Sequence, residues 1–313
     1  MAFQITILGA GAIGCALAAA WSGRGAHVRL YARPARFEAL QNGVTIAAAG
    51  RTEFTDARTL GLTSDPATLA QTDLIVVTTK ATAIPSVAET LAHTTAPVLS
   101  LLNGPRSAHI LAERMGREVL AGMVPWNAAW LAPELLLTSG VGRIAIPRDP
   151  ALDPLTQIAQ GSAAPVKSHA DIDPVLWGKL LLNLINPVNA LSGLPLKQML
   201  SDRPWRMRYR AAYIEALGIL KTAGIRPAKV APLPPGAIPH VLGAPDWLFD
   251  RVFLPMQKLE DGATTSMAQD VAAGRETEIA FLNGAIVDLA REHRLEAPVN
   301  AALVAEILAS SEE

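Results

Sequence analysis

The chain has 313 residues, half of them hydrophobic, which is enough material for two domains with separate cores. Its 27 lysines and arginines nearly balance 28 aspartates and glutamates, so a net charge of −1 offers no long-range attraction to nucleic acid or to an anionic membrane surface. A single cysteine, Cys15, excludes a disulfide framework and a thiolate metal site, and the six histidines show no ligand spacing.

The beginning of the chain, Phe3–Leu8, has the pattern of a strand, and no signal-peptide pattern comes before it. No apolar run reaches the roughly 20 residues that are needed to span a bilayer. We therefore expect a cytoplasmic protein without a membrane anchor or a bound metal, whose ligand is a small molecule.

Short apolar runs alternate with helical stretches through the first half, a pattern typical of a parallel sheet covered by helices. Beyond about Ser168 the strand signals end. We predict an α/β protein: an N-terminal Rossmann-type parallel sheet in residues 1–169, then an all-helical domain in residues 170–313. The predicted strands are Gln4–Leu8, His27–Tyr31, Leu74–Thr78, Val98–Leu102, Val119–Val124 and Arg143–Ile146. The predicted helices are Ile13–Ser22, Ala83–Ala92, Ser107–Met115, 173–191, 202–224, Ser266–Ala273, Glu276–His293 and Asn300–Ala309.

A G-x-G-x-x-G motif lies between the first strand and the first helix. Gly9 permits a tight turn, Gly11 lets a pyrophosphate approach the backbone, and Gly14 lets the helix and strand pack closely. The first residues of the helix, Ala12 and Ile13, offer N–H groups and a partial positive charge to the phosphates. The motif predicts a dinucleotide site; the alternative is a glycine-rich turn with a packing role alone.

The second predicted strand ends at Tyr31-Ala32-Arg33, where an NAD enzyme normally carries an acidic residue that binds the ribose 2′-hydroxyl. No acid is present here; Arg33 stands in its place, with Arg36 one turn later. A guanidinium can hold the 2′-phosphate of NADP through two parallel hydrogen bonds. The sequence therefore favours NADPH, and the alternative is a pair of solvated surface arginines.

Two more predicted strands lead into polar residues, Lys80 and Asn103. In open α/β sheets, ligands bind at the carboxyl ends of the strands. We expect both side chains to meet the nicotinamide end of the cofactor or the substrate, although a capping or surface role would explain each one separately.

The helix predicted at 173–191 is mostly apolar, yet it carries Lys179, Asn183 and Asn186. At about 100° per residue, both amides lie within about 40° of the lysine. Burying these groups is costly unless something polar meets them, so the stripe predicts a polar pocket; the alternative is a face in water. An ammonium placed there suits the reduction of a ketone, because it can stabilise and protonate the oxygen as hydride arrives.

Such a lysine needs a carboxylate nearby, since burial alone would lower its pKa and discharge it. Glu278, near the start of a predicted late helix, is the candidate partner. Lys179 and Glu278 together distinguish an enzyme from a non-catalytic NADP(H)-binding regulator, which needs neither.

These motifs resemble the ketopantoate reductase family over nearly the whole chain. The resemblance implies NADPH-dependent reduction of 2-dehydropantoate to pantoate in pantothenate biosynthesis, or of a closely similar 2-keto acid. It rests on the glycine motif with Arg33, on Lys80, on Leu102-Asn103-Gly104, on Trp177-x-Lys179-x-x-x-Asn183 with Asn186-Pro187, and on the run from Ser266 to Gly284, in which Ser266 stands twelve positions before Glu278.

The resemblance also implies roles for the site residues. Lys179 would be the general acid, and Glu278 would hold the lysine and a substrate hydroxyl. The residues that would bind the substrate are Asn183, Asn186 and Ser266. The residues that would line the cleft for cofactor and substrate are Lys80 and Asn103.

The chain departs from the family pattern at two places. Asn186 follows Asn183 by three positions where the best-known members have four, and Gly262-Ala263 stands where members often carry an asparagine. A reductase or dehydrogenase for another small hydroxy or keto acid on the same scaffold therefore stays open, as does the regulator. The basic and aromatic run at 205–210 favours an exposed helix face or a subunit contact over a nucleic-acid patch, which leaves a homodimer open.

Overall fold

The computed structural model describes residues 2–48, 50–140, 142–257 and 259–310. The chain divides into two compact units, Met1–Leu102 with Arg106–Ile172, and Asn103–Pro105 with Asp173–Glu313. The boundary that we predicted near residue 169 lies just ahead of this division.

The first unit contains the strands that occur among the described residues. They are β1 (Phe3–Leu8), β2 (Ala26–Tyr31), β3 (Val44–Ala48), β4 (Arg51–Thr55), β5 (Leu62–Thr63), β6 (Leu74–Val77), β7 (Val98–Ser100), β8 (Leu120–Ala121), β9 (Asn127–Ala132), β10 (Leu135–Ser139), β11 (Ile144–Pro147) and β12 (Val166–His169). Its helices are α1 (Ala12–Trp21), α2 (Pro34–Ala39), α3 (Ile84–Thr90), α4 (Ser107–Met115) and α5 (Asp153–Ala159), with 3-10 turns at Pro66–Gln71, Ala81–Ala83 and Pro150–Leu152.

The second unit is helical throughout its described regular structure. Its helices are α6 (Asp173–Asn183), α7 (Ile185–Ser192), α8 (Leu196–Ser201), α9 (Arg203–Thr222), α10 (Ile238–Leu242), α11 (Asp246–Leu248), α12 (Leu254–Met256), α13 (Ser266–Ala272), α14 (Asn283–Glu292) and α15 (Pro298–Ser310). A π-helical stretch at Phe249–Phe253 and 3-10 turns at Pro235–Ala237 and Ile279–Phe281 complete it. No helix in the described ranges combines the length and apolar character that crossing a membrane requires.

Six strands of the described chain form a parallel sheet in the order β5-β2-β1-β6-β7-β8. The four residues of β6 are all buried, as expected for a strand covered on both faces. Helix α1 contributes Cys15, Leu17 and Trp21 to the same core. The predicted α/β fold, with a Rossmann-type sheet followed by a helical region, is confirmed.

A second sheet, in the order β4-β3-β10-β9, packs against α1, and the sequence analysis did not predict it. Strand β4 is exposed at four of its five positions, and β9 contains three alanines, so neither has the buried apolar pattern of a core strand. β3 pairs with β10, which lies about ninety positions later, through Leu135 beside Thr45. Pairing between strands so far apart in the chain cannot be recognised from the sequence around either strand. The predicted strand Val119–Val124 is also shorter than expected, because Met123 instead forms a bridge with Ala145.

The helix predicted to run unbroken to about residue 191 is interrupted at Leu184, between α6 and α7. Pro187 provides the reason: it has no N–H for the carbonyl of Asn183, and its ring crowds that carbonyl. Similarly, the helix predicted at Glu276–His293 begins only at Asn283, after the 3-10 turn at Ile279–Phe281. The later start of the second helix leaves Glu278 outside it.

Arg206 corrects the expectation that the basic run on α9 is an exposed face. Its side chain is fully buried and donates to the carbonyl oxygens of Leu200 at 2.8 Å, Ser201 at 3.0 Å and Leu242 at 3.1 Å. It also pairs with Asp246. The guanidinium is therefore a core residue that satisfies the ends of neighbouring segments.

Candidate active site

The glycine turn has the backbone geometry that the G-x-G-x-x-G motif predicts. Gly9 has a φ of +121°, and a Cβ placed on it would lie 2.8 Å from the backbone nitrogen of Thr79. A Cβ on Gly14 would lie 1.9 Å from the carbonyl oxygen of Gly9. Both positions therefore require glycine for packing, since any side chain would collide with backbone atoms.

Gly11 differs from the other two glycines because packing does not explain it. It is exposed, its backbone is extended, and a Cβ on it would meet no described atom within 4 Å. The first bond of α1 runs from the Cys15 N–H to the Gly11 carbonyl at 3.0 Å. The N–H groups at Ala12 and Ile13 precede that bond, so they have no intrahelical acceptor and can bind an anion.

The register of the parallel strands brings the predicted cofactor residues of the first unit to one edge of the sheet. Leu8 of β1 stands beside Tyr31 of β2 and Val77 of β6, so these strands end together. Thr78, which the sequence analysis missed, follows β6 and donates its hydroxyl to the Gly9 carbonyl at 2.8 Å. Thr78 could have been identified from the sequence as a polar residue at the end of a predicted strand.

The two arginines after β2 have different environments. Arg33 is exposed at the N-cap of α2, and its side chain makes no hydrogen bond or ion pair with another described residue. Arg36 is half-buried: its Nε donates to the Ala10 carbonyl at 2.9 Å, and its guanidinium stacks over the Trp130 ring at 4.1 Å. Arg36 is therefore not the solvated surface arginine of the alternative interpretation.

Cys15 lies beneath this turn and is buried. Burial raises the pKa of its thiol to about 12, although the nearby Arg36 acts in the opposite direction. The raised pKa and the burial of the thiol favour a packing role for Cys15.

Lys80 is exposed and forms the N-cap of the 3-10 turn Ala81–Ala83, directly after Thr78 and Thr79. Its position at the carboxyl edge of the first unit's sheet is the one that we predicted. Asn103, which belongs to the second unit, donates from Nδ2 to Glu278 Oε2 at 2.8 Å. The structure thereby brings together two predicted site residues that the sequence analysis had not paired.

Glu278 is only 8% exposed and lies in the loop before the 3-10 turn, not in a helix. No ion pair joins Glu278 to Lys179 among the described residues, and the partnership that we expected stays a prediction. The carboxylate instead accepts from Asn103. The helix that we expected to carry Glu278 begins only at Asn283, so Glu278 lies ahead of it.

Lys179 is half-buried on α6, between the buried Gly178 and Leu180. Desolvation by burial lowers the pKa of its ammonium. No carboxylate of the described chain forms an ion pair with it. A lysine in such surroundings gives up its proton more readily than a solvated one.

Asn183 follows Lys179 by one turn of the same helix and is half-buried. Asn186 is buried on α7, and its carbonyl accepts from the Thr265 hydroxyl at 3.4 Å. Thr265 caps α13, whose first residue is the exposed Ser266. Asn186 and Ser266 are thus brought near each other through Thr265.

Asn189 is a fully buried residue that the sequence analysis missed. Its Oδ1 accepts from the Thr265 N–H at 2.9 Å, and its Nδ2 donates to the Leu194 carbonyl at 2.8 Å. It therefore fixes the segment before Ser266 to α7. Among the described residues there is no group of three or more His, Cys, Asp or Glu side chains that could hold a metal ion.

Comparison with known proteins agrees with these features. The family described as "Ketopantoate reductase PanE/ApbA" matches residues 5–150, and the one described as "Ketopantoate reductase PanE/ApbA C terminal" matches residues 171–310. A 2-dehydropantoate 2-reductase from Mesorhizobium japonicum is 28% identical, covering 92% of this chain and 91% of its own.

Solved structures show the same fold. A PanE/ApbA family ketopantoate reductase from Ralstonia eutropha JMP134 has a TM-score of 0.82 at 26% identity and covers 99% of both chains. A D-mandelate dehydrogenase in a ternary structure with NADH and anilino(oxo)acetate has a TM-score of 0.79 at 19% identity over 99% of both chains, a likeness of fold alone. Because the two family matches together span most of its length, this chain belongs to the ketopantoate reductase family and is an oxidoreductase of that family.

Proposed function

We propose that the chain is an NADPH-dependent reductase of 2-dehydropantoate, or of a closely similar 2-keto acid. The observation that carries the proposal is Lys179, a half-buried ammonium on an apolar helix with a lowered pKa and no ion-pair partner among the described residues. An ammonium on an apolar helix is costly to bury unless a polar group meets it, which supports a site that receives a polar substrate.

The residues of the first unit fit a dinucleotide. Gly11 leaves open space beside the N-terminus of α1, where the pyrophosphate of a Rossmann ligand is held. Arg33, exposed and free of other bonds within the described chain, fits the 2′-phosphate that distinguishes NADPH from NADH. When bound, the nicotinamide supplies the hydride.

Lys179 supplies the proton in this proposal. Negative charge develops on the keto oxygen as the carbonyl carbon is reduced, and the Lys179 Nζ–H donates to that oxygen and then transfers its proton. Because burial lowers the pKa of Lys179, its ammonium is a stronger acid than a solvated one and acts at a pH below that lowered pKa.

The remaining site residues orient the substrate. Glu278, already a hydrogen-bond acceptor from Asn103, accepts from a substrate hydroxyl. Asn183, Asn186 and Ser266 provide amide and hydroxyl groups for the carboxylate and the polar groups of the keto acid. Lys80 belongs with the cofactor in this assignment.

A turnover assay tests the proposal. Purified protein is mixed with NADPH and a panel of 2-keto acids that includes 2-dehydropantoate, and the loss of nicotinamide absorbance is followed. Lys179→Met is expected to lower kcat by about 10²–10⁴-fold, the usual contribution of a general acid. Lys197→Met is the matched control, because Lys197 is a surface lysine paired with Asp261 at 2.8 Å.

The outcomes separate the alternatives. Turnover of other keto acids but not of 2-dehydropantoate would show that the proposed substrate is wrong and that the proposed reaction is right. Binding of NADPH without any turnover would favour a non-catalytic regulator, and a Lys179→Met enzyme within about threefold of wild type would remove the general-acid role. A homodimer stays a prediction, for which light scattering after size exclusion is the measurement.

A further inference from the structure

Arg36 makes an unusual set of contacts beside the glycine turn. Its Nε donates to the Ala10 carbonyl at 2.9 Å, and its guanidinium carbon lies over the Trp130 ring, 4.1 Å from the ring centre. Its Nη2 is buried and has no hydrogen-bond partner among the described residues. The cation is therefore held by one carbonyl, one aromatic ring and the neighbouring Cys15 side chain, with no carboxylate among these contacts.

The carbonyl that Arg36 holds belongs to the middle of the glycine turn. A peptide unit is planar and trans, so the Ala10 carbonyl and the Gly11 N–H point in opposite directions. Because the carbonyl points to Arg36, the Gly11 N–H points away from it. Gly11 is exposed, and its N–H has no hydrogen-bond partner within the described chain. Arg36 thus sets the direction of an N–H group that is left for a ligand.

Trp130 connects Arg36 to the second sheet of the first unit. It lies in β9, next to β10, and both strands pack against α1. The ring limits the positions that the guanidinium can take, since a planar cation stacks best parallel to the aromatic face. This provides a reason for the sheet that the sequence did not predict: it holds the arginine against the turn.

We propose that Arg36 is a positioning residue for the part of the nucleotide site that NADPH and NADH share, and that Trp130 holds it in place. The inference rests on the proposed function, because it assumes that the glycine turn binds a dinucleotide. Arg33 selects for the 2′-phosphate and so acts on NADPH alone, whereas Arg36 acts through the Gly11 N–H on the pyrophosphate of either cofactor.

Isothermal titration calorimetry with NADPH and with NADH tests the proposal on wild type, Arg36→Met, Trp130→Leu and, as the matched control, Arg33→Met. Arg36→Met is expected to raise the Kd of both nucleotides by about tenfold and to a similar extent, as the loss of one charge-assisted hydrogen bond would. Trp130→Leu is also expected to raise the Kd of both NADPH and NADH. Arg33→Met is expected to raise the Kd of NADPH alone.

Kinetics provide a second measurement that a merely structural role would not produce. At saturating NADPH, kcat of Arg36→Met is expected to equal that of wild type, while the KM for NADPH rises. If Arg36→Met does not fold, Arg36→Lys decides: it keeps the charge without the planar stack, and it is expected to weaken both nucleotides equally.

The proposal is overturned if the Arg36 variants bind both nucleotides as wild type does, or if they lose affinity for NADPH alone. Failure of the wild-type protein to bind either nucleotide is a different result, which removes the proposed function and the inference with it.

Discussion

Asn103 Nδ2 donates a hydrogen bond of 2.8 Å to Glu278 Oε2, joining residues 175 positions apart in the chain. Both belong to the second unit, and Glu278 is buried. A carboxylate in that environment depends on its donors, because an unsatisfied buried charge is expensive. The pair therefore acts as one unit, in which the amide holds the carboxylate that we assign to the substrate.

A double-mutant cycle tests this coupling. Asn103→Ala and Glu278→Gln are each expected to lower kcat/KM. The loss of transition-state stabilisation in the double variant is expected to be smaller than the sum of the losses in the two single variants, with an interaction energy of about 0.5–3 kcal/mol. The measurement is the kinetics of the four proteins with one keto acid. Strictly additive losses would show that the hydrogen bond does not matter for the reaction.

The lowered pKa of Lys179 predicts the pH dependence of the reaction. A general acid works in its protonated form, so kcat is expected to be high below the pKa of Lys179 and to fall as the pH rises through it. Since burial lowers that pKa, the fall should come below the ordinary lysine value of about 10.4. A pH profile of kcat checks this. A decline only at or above the ordinary value would contradict the desolvated general acid.

The glycine turn offers a matched pair of substitutions. Gly14→Ala places a Cβ 1.9 Å from the Gly9 carbonyl oxygen and should destabilise the protein by about 1–3 kcal/mol or more, as overpacking does. Gly11→Ala meets no described atom within 4 Å, so it should leave the unfolding midpoint unchanged and lower nucleotide affinity. Thermal unfolding and titration with NADPH separate the two effects. A Gly11→Ala protein with wild-type affinity would place the ligand elsewhere.

Arg206 predicts a stability effect without a catalytic one. Arg206→Met leaves three carbonyls and Asp246 without their buried donor, which should cost about 3–5 kcal/mol in the free energy of unfolding. Arg203→Met is the control, because Arg203 is about half-exposed and pairs with the same Asp246, a contact worth about 0–1 kcal/mol. Urea unfolding measures both, and equal losses would show that burial of Arg206 is not the source of its contribution.

Local chemistry made several parts of this protein predictable. The positions that need glycine, Gly9 and Gly14, could be identified because a turn between a strand and a helix requires a positive φ and close backbone contact. The parallel sheet followed from buried apolar runs such as β6. Each of these features depends on residues close together in the chain.

Other features depended on residues far apart. Glu278 accepts a hydrogen bond from Asn103, 175 positions away, and Arg36 lies on Trp130, ninety-four positions away. The one-residue turn at Leu184, which precedes Pro187, was also not predicted. A 3.6-residue period describes one unbroken helix and contains no information on what another segment places beside it.

The sequence by itself determined the α/β class and the strand, glycine turn and helix at the beginning of the chain, since strand, turn and helix signals are local. Only the tertiary structure decided which side chains are partners: the Arg36 contact with Ala10, the Asn189 bonds to Thr265 and the Asn103 bond to Glu278. Hydrogen bonds between distant positions form only when packing brings the two atoms within about 3 Å, and no local pattern records that distance.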